Sequence, residues 1–221
     1  MNKKYLSSLT QETVIFLSIF KWIVLAGIVG AMVGGATALF FKCLDLASTS
    51  VESISSMYYL LLPAALFVCS FMIYCLSPDS DGHGTEKVIE SFHKNNGNIR
   101  ARVIPVKLVA TVITIAFGGS AGKEGPCAQI GGGLASFFSN LFRFHSKDRK
   151  KLVVCGISAG FAAVFGTPVA GAIFAVEALF VGSILYEILL PSFVAGIVGY
   201  QVSSLLGVTH SFNFVSQIPA F

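Results

Sequence analysis

The segment from Gly118 to Gly133, GGSAGKEGPCAQIGGG, contains the residue types and spacing that are most informative about chemistry. Its glycines and lysine first suggest a phosphate-binding loop. That motif needs a glycine where this chain has Phe117, and a serine or threonine after its lysine, where this chain has Glu124. Because the motif fails at both ends, we do not expect a nucleotide site.

The same segment predicts that a helix starts at Pro126. Proline is favoured at the first helical position because its missing N–H would have no partner there. The free N–H groups of a first turn, together with the helix dipole, attract anions. Gly122 and Gly125 allow the backbone to approach a ligand closely. The candidate anion-binding residues here are Gly122, Lys123, Gly125 and Pro126.

Glu124 is an acidic residue, yet it lies at a helix start, and this helix start should attract anions. Its carboxylate can occupy the place of a bound anion, and protonation would remove this competition and let the side chain swing away. Glu124 is therefore a candidate gate and a candidate coupler of anion and proton movement. The alternative is an ordinary carboxylate that stabilises its helix N-terminus, and the residues alone leave both interpretations open.

A second glycine-flanked segment, Gly82-His83-Gly84-Thr85, precedes a short polar helix. Thr85 is predicted to be the N-cap of this helix. Two helix starts that face one cavity would bind an anion between them, so all four residues are candidate anion-binding residues. His83 can equally be an ordinary histidine of an interfacial turn.

Lys107 stands within an apolar segment. It could add positive potential to a buried anion path, or it could extend its ammonium group to the lipid headgroups. Its position near the start of the segment is compatible with both.

The composition indicates a membrane protein with a single transmembrane domain over residues 1–221. Hydrophobic residues make up 54% of the 221 residues and charged residues 12%, and the mean hydropathy is +0.78. A soluble domain carries about 25% charged residues.

Five basic residues lie in a short stretch between apolar segments, which is typical of a cytoplasmic loop rather than of a nucleic-acid surface: Arg143, Lys147, Arg149, Lys150 and Lys151.

Long apolar segments alternate with pieces that are too short to cross a bilayer alone. Full spans are predicted at Val14–Leu46, Met57–Leu76 and Tyr186–Leu206, and shorter helices at Thr85–His93, Val103–Phe117, Pro126–Phe142, Lys151–Phe165 and Val169–Val181. Helices interrupted by glycine or proline within the bilayer are typical of transporters, and non-helical backbone at that depth must line a cavity or be buried in protein. The first apolar run is too long for a secretory signal, so we expect it to stay in the mature chain.

Other classes of site find little support in the residues. The five cysteines include no CxxC pair, and the four histidines lack metal-ligand spacing. No nucleophile and base pair is apparent, so we do not expect an enzyme. We also expect no metal and no cofactor.

On these segments, the sequence resembles the CLC chloride channel and transporter family. The string GKEGP at Gly122–Pro126 is similar to that family's G(K/R)EGP signature and continues in the expected way to Gly132. PVK at Pro105–Lys107 precedes it, and GISAGFAAVFGTPVAGAIFAVE at Gly156–Glu177 follows it. The resemblance runs from about Val14 to Leu206. It implies an all-α integral membrane fold with tilted and broken helices, and anion transport with chloride first.

The resemblance also assigns roles to residues and reveals departures. It implies that Glu124 is the gate and that Gly82–Thr85 is the first filter loop, usually GSGIP. His83 replaces the serine of that loop, so nitrate or fluoride are alternatives to chloride. Ala178, after Glu177, stands where exchangers of the family carry an internal glutamate. A channel and an anion/proton antiporter therefore both stay open.

A further departure is length, because the family core has two halves of inverted topology and this chain resembles the first. A non-transporting half that needs a partner chain is thus a third possibility. By analogy we expect a homodimer that associates through Val169–Leu206, in the cell (inner) membrane, with lipid and a small anion as the other partners.

Overall fold

The computed structural model describes residues 2–54, 57–179 and 186–209. These residues form helices joined by loops, with no β-strand among them. The predicted all-α fold is therefore confirmed. The α-helices are α1 (Asn2–Ile54), α2 (Leu62–Leu76), α3 (Gly84–Lys94), α4 (Val103–Ala116), α5 (Glu124–Leu141), α6 (Ser146–Phe165), α7 (Pro168–Leu179) and α8 (Tyr186–Leu205). Short 3-10 helices at Tyr58–Leu61 and Pro78–Ser80 precede α2 and α3.

Three stretches among the described residues are long and apolar enough to cross a membrane: Phe16–Ser53, Tyr58–Leu76 and Glu187–Leu205. They overlap the three predicted spans, but the first continues to Ser53, so its predicted end at Leu46 was wrong. The second one exposes large apolar side chains, since Phe67 is 73% and Phe71 63% accessible. Such a surface is compatible with lipid and costly in water, so the chain is an integral membrane protein.

Helix α6 lies at the centre of the fold and packs against α1, α5, α7 and α8. Its residues from Leu152 to Val164 are almost all buried. Glycines allow its neighbours to approach closely: a Cβ atom on Gly131 of α5 would collide with the carbonyl oxygen of Gly156 of α6. Close contact through small residues is the usual basis of helix association in lipid.

The glycines of α1 are only partly used for packing. A Cβ atom on Gly30 would lie 2.5 Å from the carbonyl oxygen of Ala195, and one on Gly34 would collide with Gly199. Both glycines therefore allow α1 to pack closely against α8. Beyond the adjoining residues and backbone of α1 itself, no described atom lies within 4 Å of a Cβ atom added to Gly27 or Gly35. Close packing within the described part of the chain therefore does not require glycine at these two positions.

Two predicted helix boundaries near α6 differ in their outcome. The break between α6 and α7 lies between the predicted end at Phe165 and the predicted start at Val169, and Gly166 there has the left-handed conformation with φ of 69°. The predicted start of α6 was wrong, because the helix begins at Ser146 rather than Lys151. Most of the basic stretch thus lies in its first turns. The end of the run predicted to reach Val181 lies outside the described residues.

Candidate functional site

Helix α5 starts earlier than the prediction at Pro126. Glu124 is its first residue and Lys123 its N-cap, and the first helical hydrogen bond runs from the Cys127 N–H to the Lys123 carbonyl at 3.2 Å. Pro126 is therefore the third residue of the helix. Proline is tolerated there for the reason that favoured it at the first position, because all N–H groups of the first turn lack helical partners. The N–H groups of Glu124 and Gly125 point out of the helix end.

Helix α3 also starts earlier than predicted. His83 is the N-cap and Gly84 the first residue, so the assignment of Thr85 as N-cap was wrong. The chain turns at Gly82, whose positive φ of 70° favours glycine, and the Gly82 N–H donates to the Asp81 carboxylate at 2.8 Å. This turn completes the change of direction before Thr85. The His83 side chain makes no capping hydrogen bond.

The N-termini of α3 and α5 meet backbone to backbone. A Cβ atom on Gly84 would collide with the carbonyl oxygen of Gly125, and one on Gly125 would lie 3.4 Å from the Gly84 nitrogen and 3.7 Å from the Thr85 nitrogen. Both ends thus present free N–H groups and a positive dipole end to one region. Each glycine is needed because a side chain would separate the two helix ends or cover their N–H groups.

A cavity of about 730 Å³ opens at this junction. It is lined by the loop before α3, the start of α5 and faces of α2 and α4. The structure brings together every predicted site residue but one in this lining: Gly82, His83, Gly84, Thr85, Lys107, Gly122, Glu124, Gly125 and Pro126. The exception is Lys123, whose ammonium lies 4.6 Å from the centre of the Phe41 ring of α1.

The Glu124 carboxylate turns back over the loop that precedes α5. A Cβ atom on Gly122 would collide with its Oε2 oxygen, so this position admits only glycine while the carboxylate is in this place. Glu124 is half-buried and lines the cavity. The one carboxylate in the first turn of α5 therefore lies at the mouth of the anion-attracting junction.

Lys107 holds the loop that leads into α3. Its ammonium group donates to the carbonyl oxygens of Ser80 at 3.0 Å and Gly82 at 2.7 Å. The residue is only 8% exposed. The side chain is thus turned into the protein, not toward the headgroups, and it adds a positive charge beside the loop that ends at His83.

Some residues of the cavity were missed by sequence reasoning. Thr111 and Thr114 of α4 line it, at one and two turns from Lys107, and Ser70 and Tyr74 of α2 form another wall. The polar stripe of Lys107, Thr111 and Thr114 at helical spacing on an apolar helix was a usable signal. Ser70 and Tyr74 of α2 also stand four residues apart, but one such pair in an apolar span is too short a pattern to indicate a cavity wall.

Gln129 follows the GKEGP string in the sequence, and the structure gives it a contact across the junction. Its side-chain amide donates to the Asp79 carbonyl oxygen at 3.1 Å. Gln129 lies one turn beyond Gly125 on α5, and Asp79 belongs to the loop before α3. This hydrogen bond ties the two segments of the junction together behind the cavity.

The end of α7 contributes no side chain to the cavity. Glu177 is exposed and Ala178 is half-buried, and neither lines the cavity. Among the described residues, no three histidine, cysteine, aspartate or glutamate side chains are grouped so that they could hold a metal ion. The chemical groups that line the cavity are N–H groups, hydroxyls, the Cys69 thiol, an imidazole, a lysine and carboxylates.

Comparison with known proteins identifies the family of this chain. Residues 64–220 match the family model described as voltage gated chloride channel. A chloride/fluoride channel protein of Pseudomonas syringae is 38% identical over 200 residues, which cover 90% of this chain and 44% of that protein. The H(+)/Cl(-) exchange transporter ClcA of Vibrio cholerae is 29% identical over 173 residues, which cover 76% of this chain and 37% of that protein.

A solved structure is similar over the same extent. The crystal structure of a CLC-type fluoride/proton antiporter superposes with a TM-score of 0.80 at 28% identity and covers 93% of this chain and 52% of that chain. This chain thus spans about half the length of the relatives it matches. The family match, the broken helices and the junction of α3 with α5 agree, and the chain belongs to the voltage-gated chloride channel (CLC) family.

Proposed function

We propose that this chain transports small anions across a membrane through the cavity between α3 and α5, with chloride as the first candidate ion. The observation that carries the proposal is the junction of Gly84 with Gly125, where two helix N-termini meet within a chain that has membrane-spanning helices. Backbone N–H groups and helix dipoles attract an anion without holding it as tightly as a free ammonium would. Conduction needs such a balance between entry and exit.

Glu124 is proposed as the gate. An ionised carboxylate beside the junction competes with the transported anion, because both seek the same N–H groups. Protonation neutralises the carboxylate and ends the competition. The position of its oxygen over Gly122 supports this role, since the carboxylate already lies at the mouth of the cavity.

Fluoride is the second candidate ion. The relative at 38% identity is named a chloride/fluoride channel protein, and the structural neighbour at 28% identity is a fluoride/proton antiporter. His83 lines the cavity where the family resemblance implies a serine. A protonated imidazole is a stronger hydrogen-bond donor than a hydroxyl, and a small hydrated anion such as fluoride needs strong donors to replace its water.

Proton coupling and assembly need groups beyond the junction. Ala178 offers no carboxylate for an internal proton step, so an antiporter of this sequence would need another route.

The cavity of about 730 Å³ is many times larger than a halide ion, which supports additional protein on its open side: a homodimer partner, a second half or a separate partner chain. We place the protein in the cell (inner) membrane, with the basic start of α6 on the cytoplasmic side.

Flux from proteoliposomes tests the proposal. The full chain is reconstituted, loaded with chloride or fluoride, and followed with an ion electrode and a pH electrode. Anion efflux without proton movement indicates a channel, and efflux coupled to proton uptake indicates an antiporter. Efflux no faster than from protein-free vesicles overturns transport by this chain alone and favours the half that needs a partner. Addition of candidate partner chains then separates that case from an inactive protein.

A further inference from the structure

A cluster of aromatic and basic side chains lies away from the anion site, where the apolar span of α1 meets the starts of α6 and α8. Trp22 and Lys21 belong to α1, Phe144 to the loop before α6, and Lys151 to α6. We call these four residues the Trp22 cluster. None of them lines the cavity at Gly84 and Gly125.

Two ammonium groups share the Trp22 ring. The Lys21 ammonium lies 5.6 Å and the Lys151 ammonium 5.2 Å from the ring centre, and Lys21 is also 6.0 Å from the centre of the Phe144 ring. Lys151 donates to the Glu187 carboxylate at 3.2 Å, whereas no carboxylate among the side chains that the structure describes forms an ion pair with Lys21. The cluster therefore holds more positive charge than its own carboxylate neutralises.

The surroundings of the cluster combine exposed charge with exposed apolar surface. Arg143 and Lys147, on either side of Phe144 in the chain, are both exposed. Phe20, next to Lys21, is 59% exposed, and Phe142 is 60% exposed with its ring centre 6.4 Å from that of Phe144. Tryptophan prefers the headgroup level of a bilayer, where its ring is in apolar surroundings and its N–H is solvated. This combination is typical of the boundary between lipid chains and headgroups.

We propose that the Trp22 cluster binds the headgroup of an anionic phospholipid. The phosphate would lie between the ammonium groups of Lys21 and Lys151, where it relieves their mutual repulsion and gives Lys21 an anionic partner. The acyl chains would run along Phe20 and Phe142. Charge complementarity and the adjoining apolar surface favour a phospholipid over a soluble anion, because only a lipid uses both.

The chain itself supplies a direct probe, because Trp22 is its only tryptophan. The full chain is reconstituted in vesicles that contain brominated phosphatidylglycerol or brominated phosphatidylcholine, and quenching of tryptophan fluorescence gives the relative association of each lipid with this ring. We expect stronger association of phosphatidylglycerol. Lys21→Gln and Lys151→Gln should each lower the preference by about fivefold, since a basic residue near an anionic membrane surface contributes about 1 kcal/mol.

Lys94→Gln is the matched control, because Lys94 is exposed but pairs with Glu90 away from the cluster, and it should leave the preference unchanged. Equal quenching by the two lipids, or a preference that survives loss of both Lys21 and Lys151, would overturn the proposal. Addition of inorganic phosphate at constant ionic strength distinguishes the sources: phosphate that displaces the brominated lipid would show a site for free phosphate instead. Anion flux does not enter any of these readouts.

Discussion

Gly84 and Gly125 lie so close that a Cβ atom on Gly84 would collide with the carbonyl oxygen of Gly125. This contact sets the N-termini of α3 and α5 side by side at the cavity. The first-turn N–H groups of both helices have no helical partners, and their dipoles add at the same place. The junction therefore attracts anions through backbone groups that the fold holds in position.

The two glycines of the junction should respond differently to alanine. Gly84→Ala forces a methyl group into backbone and should destabilise the fold by about 1–3 kcal/mol. In Gly125→Ala the methyl group lies at an ordinary contact distance of 3.4 Å from the Gly84 nitrogen, so the fold should survive. The methyl group would cover the N–H groups, and halide affinity should fall about tenfold. Thermal unfolding and isothermal titration separate the two effects. Equal affinity in Gly125→Ala and the wild type would contradict this prediction.

Glu124→Gln should remove the pH dependence of anion flux. Glutamine is neutral at every pH and mimics the protonated carboxyl group, so flux at neutral pH should match the flux of the wild type at acid pH. Flux from proteoliposomes over a range of pH measures this. A pH profile that persists in Glu124→Gln would exclude the gating role.

Glu90→Gln is a suitable control for the gate. The hydrogen bond and charge of Lys94, and then the charge of Lys87, hold the pKa of Glu90 below its ordinary value. This carboxylate therefore stays ionised to a lower pH than an ordinary one, and Glu90 does not line the cavity. The pH profile of Glu90→Gln should match that of the wild type.

Lys107→Met should loosen the loop before α3. The substitution removes the hydrogen bonds to the carbonyl oxygens of Ser80 and Gly82. We expect halide affinity to fall about tenfold, since hydrogen bonds from a charged donor contribute about 1.5–3 kcal/mol. Amide hydrogen exchange at Gly82–Thr85 should become faster, which loss of charge alone would not cause. Lys94→Met, at an exposed site, is the control, and unchanged exchange in Lys107→Met would refute the positioning role.

Gly131→Ala should destabilise the protein, because the new methyl group would meet the Gly156 carbonyl oxygen between α5 and α6. A loss of about 1–3 kcal/mol is expected from overpacking. Gly35→Ala is the matched control, since its added Cβ atom would meet no described atom within 4 Å beyond the adjoining residues and backbone of α1, and alanine is the better helix former. Thermal unfolding in the same detergent should place Gly35→Ala at or above the wild type and Gly131→Ala below it. The reverse order would contradict the packing of α5 on α6.

Much of this arrangement could be predicted from local chemistry. The break between α6 and α7 could be predicted because the backbone preferences of Gly166 and Pro168 act within a few residues. The GKEGP segment predicted a helix start for the same reason. Helix α5 nevertheless begins at Glu124, two residues before the predicted start at Pro126. This is possible because the N–H groups of a first turn have no helical partners, so proline is tolerated beyond the first position.

The contacts between distant segments could not be predicted in this way. The hydrogen bond of Gln129 to Asp79 and those of Lys107 to its loop join residues far apart in the chain. Neither the periodicity nor the composition of the sequence indicates which residues form these hydrogen bonds. Lys123 shows the same limit, because only the fold reveals that its ammonium lies over Phe41 instead of in the cavity.

The most direct test of the junction is to locate a bound halide. Crystals of the full chain grown or soaked in bromide, with Glu124→Gln to remove the competing carboxylate, should show an anomalous peak within hydrogen-bond distance of the Gly84 or Gly125 nitrogen. The peak should weaken in the wild type at neutral pH and also in Gly125→Ala. Bromide that is absent from this junction, or bound only elsewhere in the cavity, would contradict an anion site built from the N-termini of α3 and α5.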